Sequence, residues 1–258
     1  MLADTSKEVE MMQKHLLDLA NRSYQQNVFT FSDFLGESDQ DAFFAIQRQL
    51  GSQHYELFGG NENCIRKMIR FGNPEDFGYE VEYPIVLLEM RPLMQKFADK
   101  FSHRDFLGAL MNLGIDRSCL GDIFVEDNVG YVYCTDTIAP FLIESLDKVK
   151  HTQIRTKEAV NKTFAQEAPV EERVLVSSER IDGCISKLYN LSRSESLEYF
   201  RAGKVRVNGR LCESNSYILK ADDAVSVRGF GKFIYTGHAS ENKKGKLWLT
   251  LLVYRQKK

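Results

Sequence analysis

Asn208-Gly209, set between Val205-Arg206-Val207 and Arg210-Leu211, leaves the backbone little freedom. Both central residues of a two-residue hairpin turn need positive φ, which asparagine and glycine tolerate best. The spacing predicts a tight hairpin with Val205, Val207 and Leu211 pointing inward. Lys204, Arg206 and Arg210 then share or border the opposite face. Just upstream, Ile181, Ile185 and Leu188 fall at i, i+4 and i+7, one apolar stripe of a short helix with Ser178 as its N-cap, finished by Asn190. Ser192-Arg193-Ser194-Glu195 is a capping box opening a second helix, which buries Leu197 and Phe200 and stops at Gly203. Arg193 sits at that helix's start, and Arg180 and Arg201 mark the basic ends of the two helices. Guanidinium forks grouped in this way suit phosphate oxygens, and they stay charged throughout the physiological range. The plainer alternative is a set of ordinary solvated charges.

Charge is unevenly divided. Residues 173–258 hold 17 Lys and Arg against 8 Asp and Glu, whereas residues 1–172 hold 17 against 28, so a net of −2 conceals a basic C-terminal third. That division suggests one polyanion-binding face on a body that repels non-specific contacts. A hydrophobic content of 43% argues for folded cores. Cys64, Cys119, Cys134, Cys184 and Cys212 are scattered without a CxxC or clustered histidines, which points away from a metal site and toward a reducing cytoplasm. The N-terminus is polar, and no run approaches the roughly twenty apolar residues of a membrane span, so a soluble cytoplasmic protein is expected.

Three domains are expected in this α+β chain. Residues 1–74 form a small N-terminal α/β module. It has an amphipathic helix from Lys7 to about Asn21 carrying Val9, Met12, Leu16 and Leu19, and a loop through Phe29-Thr30-Phe31-Ser32. A helix from Asp39 to Leu50 follows, then strands at Tyr55–Phe58 and Ile65–Phe71. Residues 75–165 run strand Pro84–Met90, a helix capped by Ser102 and Asp105, strand Asp122–Glu126, strand Tyr131–Cys134, helix Ile138–Val149 and strand His151–Val160. That β-α-β-β-α-β order is ferredoxin-like. Asn161 to Val170 is the linker to residues 172–258, whose last strand, Leu247–Tyr254, ends in a basic tail of Arg255, Lys257 and Lys258. Tyr131 and Tyr133 are two apart on one strand and share a face, either to meet a ligand or to pack. His103, Arg104 and Arg117 gather near a helix N-terminus and the turn after that helix, a second phosphate site or merely a solvated cap.

The pattern Arg180-Ile181-Asp182, Leu191-Ser192-Arg193-Ser194 and Lys204-Val205-Arg206-Val207-Asn208-Gly209 resembles the S-four RNA-binding domain, which is named after a small-subunit ribosomal protein. The resemblance implies an S-four-type αL fold for residues 172–258 and gives RNA contacts to Arg180, Ser192, Arg193, Lys204, Arg206, Asn208 and Arg210. Arg201, Arg228 and Lys232 join them as neighbouring cations, while Asp182 holds arginines in place. A second likeness runs through Phe101-Ser102-His103-Arg104-Asp105-Phe106-Leu107-Gly108, Gly114-Ile115-Asp116-Arg117 and Gly121-Asp122-Ile123. It extends to Arg228-Gly229-Phe230-Gly231-Lys232-Phe233 and is similar to the YlmH-type bacterial proteins of the cell-division gene cluster.

That family implies an RNA-binding middle domain, and the RRM-like strand order makes His103, Arg104, Arg117, Tyr131 and Tyr133 a candidate second RNA site by their own placement. It further implies structured RNA (rRNA, tRNA) on the large ribosomal subunit as partner, in rescue of stalled translation, with a link to cell division. No catalysis, cofactor, metal, DNA or membrane partner is implied, and protein partners stay open. The alternatives are an RNA-modifying enzyme of pseudouridine-synthase type, or a division scaffold contacting proteins through the acidic half. His103-Arg104-Asp105 echoes a kinase catalytic loop, but position 110 is Leu where that loop requires Asn. A pseudouridine-synthase catalytic domain would follow the S-four block, where too little chain remains to hold one.

Overall fold

A computed structural model describes residues 2–159, 162, 164, 168–241 and 245–255. The linker positions Asn161 and Ala165, the strand end Val160 and the tail residues Lys257 and Lys258 lie outside the described residues. The chain divides into two compact units, Met1–Phe164 and Ala165–Lys258.

The first unit begins with α1 (Leu2–Gln26), β1 (Thr30–Phe31), α2 (Glu37–Ile46), β2 (Tyr55–Phe58), β3 (Met68–Phe71) and the single turn α3 (Pro74–Phe77). Leu16, Leu19 and Ala20 of α1 pack on Phe43, Leu50, Ile69 and Phe71, the stripe that the 3.6-residue period demands. The three strands pair antiparallel in the order β1-β3-β2. Phe29–Ser32, read as a loop, instead contributes an edge strand, because Thr30 and Phe31 pair with Phe71 and Arg70.

The unit continues with β4 (Ile85–Pro92), α4 (His103–Met111), β5 (Leu120–Glu126), β6 (Val129–Thr135), α5 (Ala139–Ser145), β7 (Lys148–Val149) and β8 (Thr152–Glu158). Their sheet order is β5-β6-β4-β8-β7, all antiparallel. Without the short β7, this is the ferredoxin-like arrangement expected from β-α-β-β-α-β. Leu88, Met90, Val132 and Cys134 face the helices and meet Phe106, Leu110 and Leu142. The alternate residues Leu87, Glu89, Tyr131 and Tyr133 face away from the helices. The Asp105 carboxylate accepts from the Ser102 N–H (2.8 Å) and hydroxyl (2.7 Å), which fixes the start of α4.

The second unit holds β9 (Val170–Val176), α6 (Ile181–Leu188), α7 (Arg193–Arg201), β10 (Val205–Val207), β11 (Arg210–Leu211), β12 (Ala224–Val227), β13 (Gly231–Glu241) and β14 (Leu247–Arg255). The antiparallel order is β11-β10-β12-β13-β14-β9, so among the described strands β11 and β9 are outermost. Ile181, Cys184, Ile185, Leu188 and Phe200 press the two helices onto Val205, Val225, Phe233, Leu249 and Leu251. Each such side chain contributes about 1.5–3 kcal/mol by leaving water. Helix α6 is capped by Arg180, not Ser178, because Arg180 bridges to Ile218 and stays extended until the helix begins at Ile181.

Candidate nucleic-acid interface

The hairpin turn is built from local chemistry. Asn208 and Gly209 take φ values of 52° and 78°. The Asn208 side chain then ties the turn to β12, donating to Asp223 (2.8 Å) and accepting from the Ala224 N–H (2.9 Å). Its amide is occupied in shaping the turn, not directed at a ligand.

A two-residue turn pairs Val207 with Arg210 and Arg206 with Leu211. Directly opposed residues share a side, so Arg210 lies on the helix side with Val207, and Leu211 lies on the outer side with Arg206. The expectation that Leu211 points inward is therefore corrected: it is 37% exposed. Arg206 and Arg210 straddle the hairpin and do not share a face.

The outer side gathers the larger group. Arg206 pairs with Ser226, which pairs with Lys232, and Lys232 pairs with Tyr254, forming one cross-strand row. The Arg228 N–H donates to the Lys204 carbonyl (2.9 Å), placing those two residues side by side at the end of the same strands. Arg206 and Lys232 thus share the outer row, while Lys204 and Arg228 neighbour each other beyond the ends of β10 and β12. Two of them already lie over aromatic rings, Lys204 Nζ 5.4 Å from Tyr199 and Lys232 Nζ 5.6 Å from Tyr254.

The remaining expected residues are distributed differently. Arg193 is exposed at the first position of α7, behind a complete capping box in which the Ser192 hydroxyl accepts from Glu195 N (3.2 Å). Ser192 is consequently engaged as a cap. Arg201 pairs with Glu198 at 2.5 Å on the surface. Arg180 forks onto Asp182 at 3.1 and 2.7 Å, and Asp182 also accepts from Gly183 N and Asn215. Burial pushes the Asp182 carboxyl up, but Arg180 and these other donors outweigh it and hold the group below its usual range.

The second set, in the first unit, is largely closed. Tyr131 and Tyr133 are each only 6% exposed. Phe164 stacks on Phe124 at 4.3 Å and 17° and meets both tyrosines edge-on, while Lys162 lies over Tyr131 at 5.1 Å. Asn61 donates to the Tyr133 hydroxyl (3.2 Å), and Gly60 lies flat against the Tyr133 ring. The two tyrosines therefore pack, and no base reaches their faces as they stand. Arg117 turns its guanidinium onto the Leu120 and Gly121 carbonyls (2.6 and 3.2 Å), and burial beside Arg66 lowers it to about 10. His103 is held below its ordinary range by burial and by Arg117, so it is neutral at neutral pH. Of that set, His103 and Arg104 remain exposed on the first turn of α4.

Asp122 accepts from the Ile65 and Arg66 main-chain N–H groups (2.5 and 3.0 Å), and burial pushes its carboxyl up. It ties β5 to the segment that leads into β3. Burial raises the thiols of Cys64, Cys134 and Cys184 to about 12, leaving them protonated. Among the described residues no group of three His, Cys, Asp or Glu could hold a metal ion, and no helix is long and apolar enough to cross a membrane.

Two family models match the chain. The one described as "Putative RNA-binding domain in YlmH" covers residues 79–163, and the S4 domain covers residues 179–225. A curated relative, "Ribosome-associated protein quality control protein P2" of Bacillus subtilis (strain 168), is 29% identical over 237 residues, covering 88% of each chain. Among solved structures, "Cell division protein ylmH from Streptococcus pneumoniae" is similar to 59% of this chain and covers 92% of its own, at 16% identity and a TM-score of 0.47. The S4 match falls on the cationic hairpin unit, so the chain carries an S4 domain there, with RNA-binding domain matches in both units. Along the chain, a match to the RNA-binding domain of YlmH thus precedes a match to the S4 domain.

Proposed function

We propose that this protein binds structured ribosomal or transfer RNA on the large ribosomal subunit, in quality control of stalled translation, and makes or breaks no bond there. The observation that carries the reading is the row that places Arg206 and Lys232 on the outer side of the sheet, with Lys204 and Arg228 adjacent to each other at its end. Cations fixed on and beside paired strands meet phosphates without first having to be ordered, which favours affinity. Arg210 and Arg193 supply charge on the helix side. The name of the Bacillus subtilis relative supports a ribosomal setting, and with it a cytoplasmic one. On this reading residues 172–258 carry the main contact, residues 75–165 a lesser one, and residues 1–74 support it.

Sedimentation of a lysate through a sucrose gradient tests the setting: the protein should travel with the large subunit and leave it as salt rises. Charge reversal by Arg206→Glu with Lys232→Glu should shift it to the free fraction. Recovery only at the top of the gradient at low salt, or indifference to the reversal, rejects the proposal.

A further inference from the structure

RRM-like domains ordinarily offer the sheet face, but Phe164, Lys162, Gly60 and Asn61 close it here. The domain's conspicuous apolar exposure lies instead at one end of the sandwich. Leu93, Met94 and Phe97 are 59%, 65% and 75% exposed within five residues. One exposed Leu is ordinary, whereas three large apolar side chains together call for a partner.

The segment is firmly held. Leu93 N donates to the Gln153 carbonyl (3.0 Å) and Gln95 Nε2 to the Asp127 carbonyl (2.6 Å). Asp99 receives the His151 N–H and the Thr152 hydroxyl, and Asn128 bridges Phe101 N and the Asp99 carbonyl. Lys150 reaches the Lys100 carbonyl and Asp105. The loop after β4, the β5–β6 turn and the β7–β8 turn are thereby braced into one platform. Asp99 and Asp105 are engaged by donors that hold both carboxyls low, Thr152 and His151 N for the one and Ser102 and Lys150 for the other. The exposed charges on these braced segments are Lys96, Lys100, Arg104 and Lys150 against Asp127, a cationic balance. Lys96 Nζ lies 5.8 Å from the centre of the Phe97 ring, which a base would share with it.

We propose that residues 93–100 form a second RNA contact, in which Phe97 stacks on an unpaired base while Lys96, Lys100 and Arg104 meet the flanking phosphates. An aromatic ring framed by cations is the arrangement by which proteins hold unpaired nucleotides, since every base has a π-face. The family match of residues 79–163 to an RNA-binding domain favours RNA over a protein or lipid occupant. The inference deepens the reading above and adds a contact outside the S-four unit.

The test uses the full chain and two RNAs of equal length, a stem-loop with seven unpaired purines and a fully paired duplex. Phe97→Ser should weaken stem-loop binding about tenfold and leave duplex binding and the salt slope unchanged. Lys96→Glu with Lys100→Glu should weaken both RNAs and lower the salt slope by about two. Unchanged stem-loop affinity in Phe97→Ser, or equal losses on both RNAs, overturns the inference. Loss with Arg206→Glu but not with Phe97→Ser rejects this contact alone, and the converse rejects the S-four patch alone. A photoreactive phenylalanine analogue at position 97 should crosslink to RNA on ribosomes, and labelling of protein only counts against it.

Discussion

Arginine does opposite work in the two units. In the first, Arg66 donates to the Leu120, Phe34 and Arg117 carbonyls at 2.8, 2.7 and 3.2 Å, and Arg117 serves Leu120 and Gly121. Arg70 is buried between the Phe29 and Tyr83 rings, with Glu56 at 2.6 Å. These guanidiniums act as rivets: five donors on a planar fork satisfy carbonyls that strand and helix ladders leave unpaired. In the second unit, Arg193, Arg210 and Arg228 lie exposed. One set should be measurable as stability and the other as affinity.

The largest effect should come from Arg70. Arg70→Ala removes a buried cation, two ring contacts and the ion pairs to Glu56 (2.6 Å) and Glu80 (3.4 Å), and should cost about 3–5 kcal/mol in urea denaturation of the first unit. RNA affinity of the fraction still folded should not change. A loss below about 1 kcal/mol would show that Glu56 and Glu80, both on the surface side, carry little of the fold and that the contrast is overdrawn.

Gly60 sharpens the same contrast at the closed sheet face. Its φ is +102°, and a Cβ there would sit 2.3 Å from the Tyr133 ring. Gly60→Ala should cost about 2 kcal/mol or more from strain and overpacking together. Should it also raise RNA affinity, the covered tyrosines would be a latent base-binding surface.

Reversal of the surface set should do the converse. Arg193→Glu and Arg206→Glu should each leave stability within about 0.5 kcal/mol. Each should weaken RNA binding several-fold and lower its salt slope by about one or more, measured from 50 to 300 mM salt by about six points. If only Arg206→Glu acts, the RNA lies on the outer side of the sheet. If only Arg193→Glu acts, it lies on the helix side, and the patch around Lys232 is incidental.

What the sequence discloses here is local, and what it conceals is remote. The Asn208-Gly209 turn, the Ser102 and Ser192 capping boxes and the ferredoxin-like strand order follow from residues within one element of each other. Tyr131 and Tyr133 are legible as a shared face, yet the cover on Tyr133 comes from Asn61, 72 positions away, and from Phe164, which belongs to no periodic pattern. Arg117 reads as a surface cation until the carbonyls that it serves are seen. The sides taken by Arg210 and Leu211 were in principle readable, since a two-residue turn fixes the pairing of Val207 with Arg210. The exposed Leu93-Met94-Phe97 segment also left a signal: three large apolar residues among lysines, in a stretch without helical or strand period.

Arg180 stands between the two behaviours and sets the smallest expected effect. It belongs to the RNA-binding unit, but its fork is held by Asp182, which is 7% exposed against 36% for Arg180. Because the Asp182 carboxyl is depressed in the folded chain, its contribution is present above the unfolded carboxylate's value near 3.8 and fades as pH falls through the lower, folded one. Asp182→Ala should therefore cost about 1–2 kcal/mol at pH 7, and progressively less below about pH 4. RNA affinity decides which group Arg180 belongs to. If Asp182 merely orients a binding arginine, its removal should weaken RNA binding slightly and Arg180→Ala should weaken it equally, with the double variant no worse than either. If Arg180 is a rivet like Arg66, both changes should appear in the denaturation midpoint of the second unit and neither in affinity.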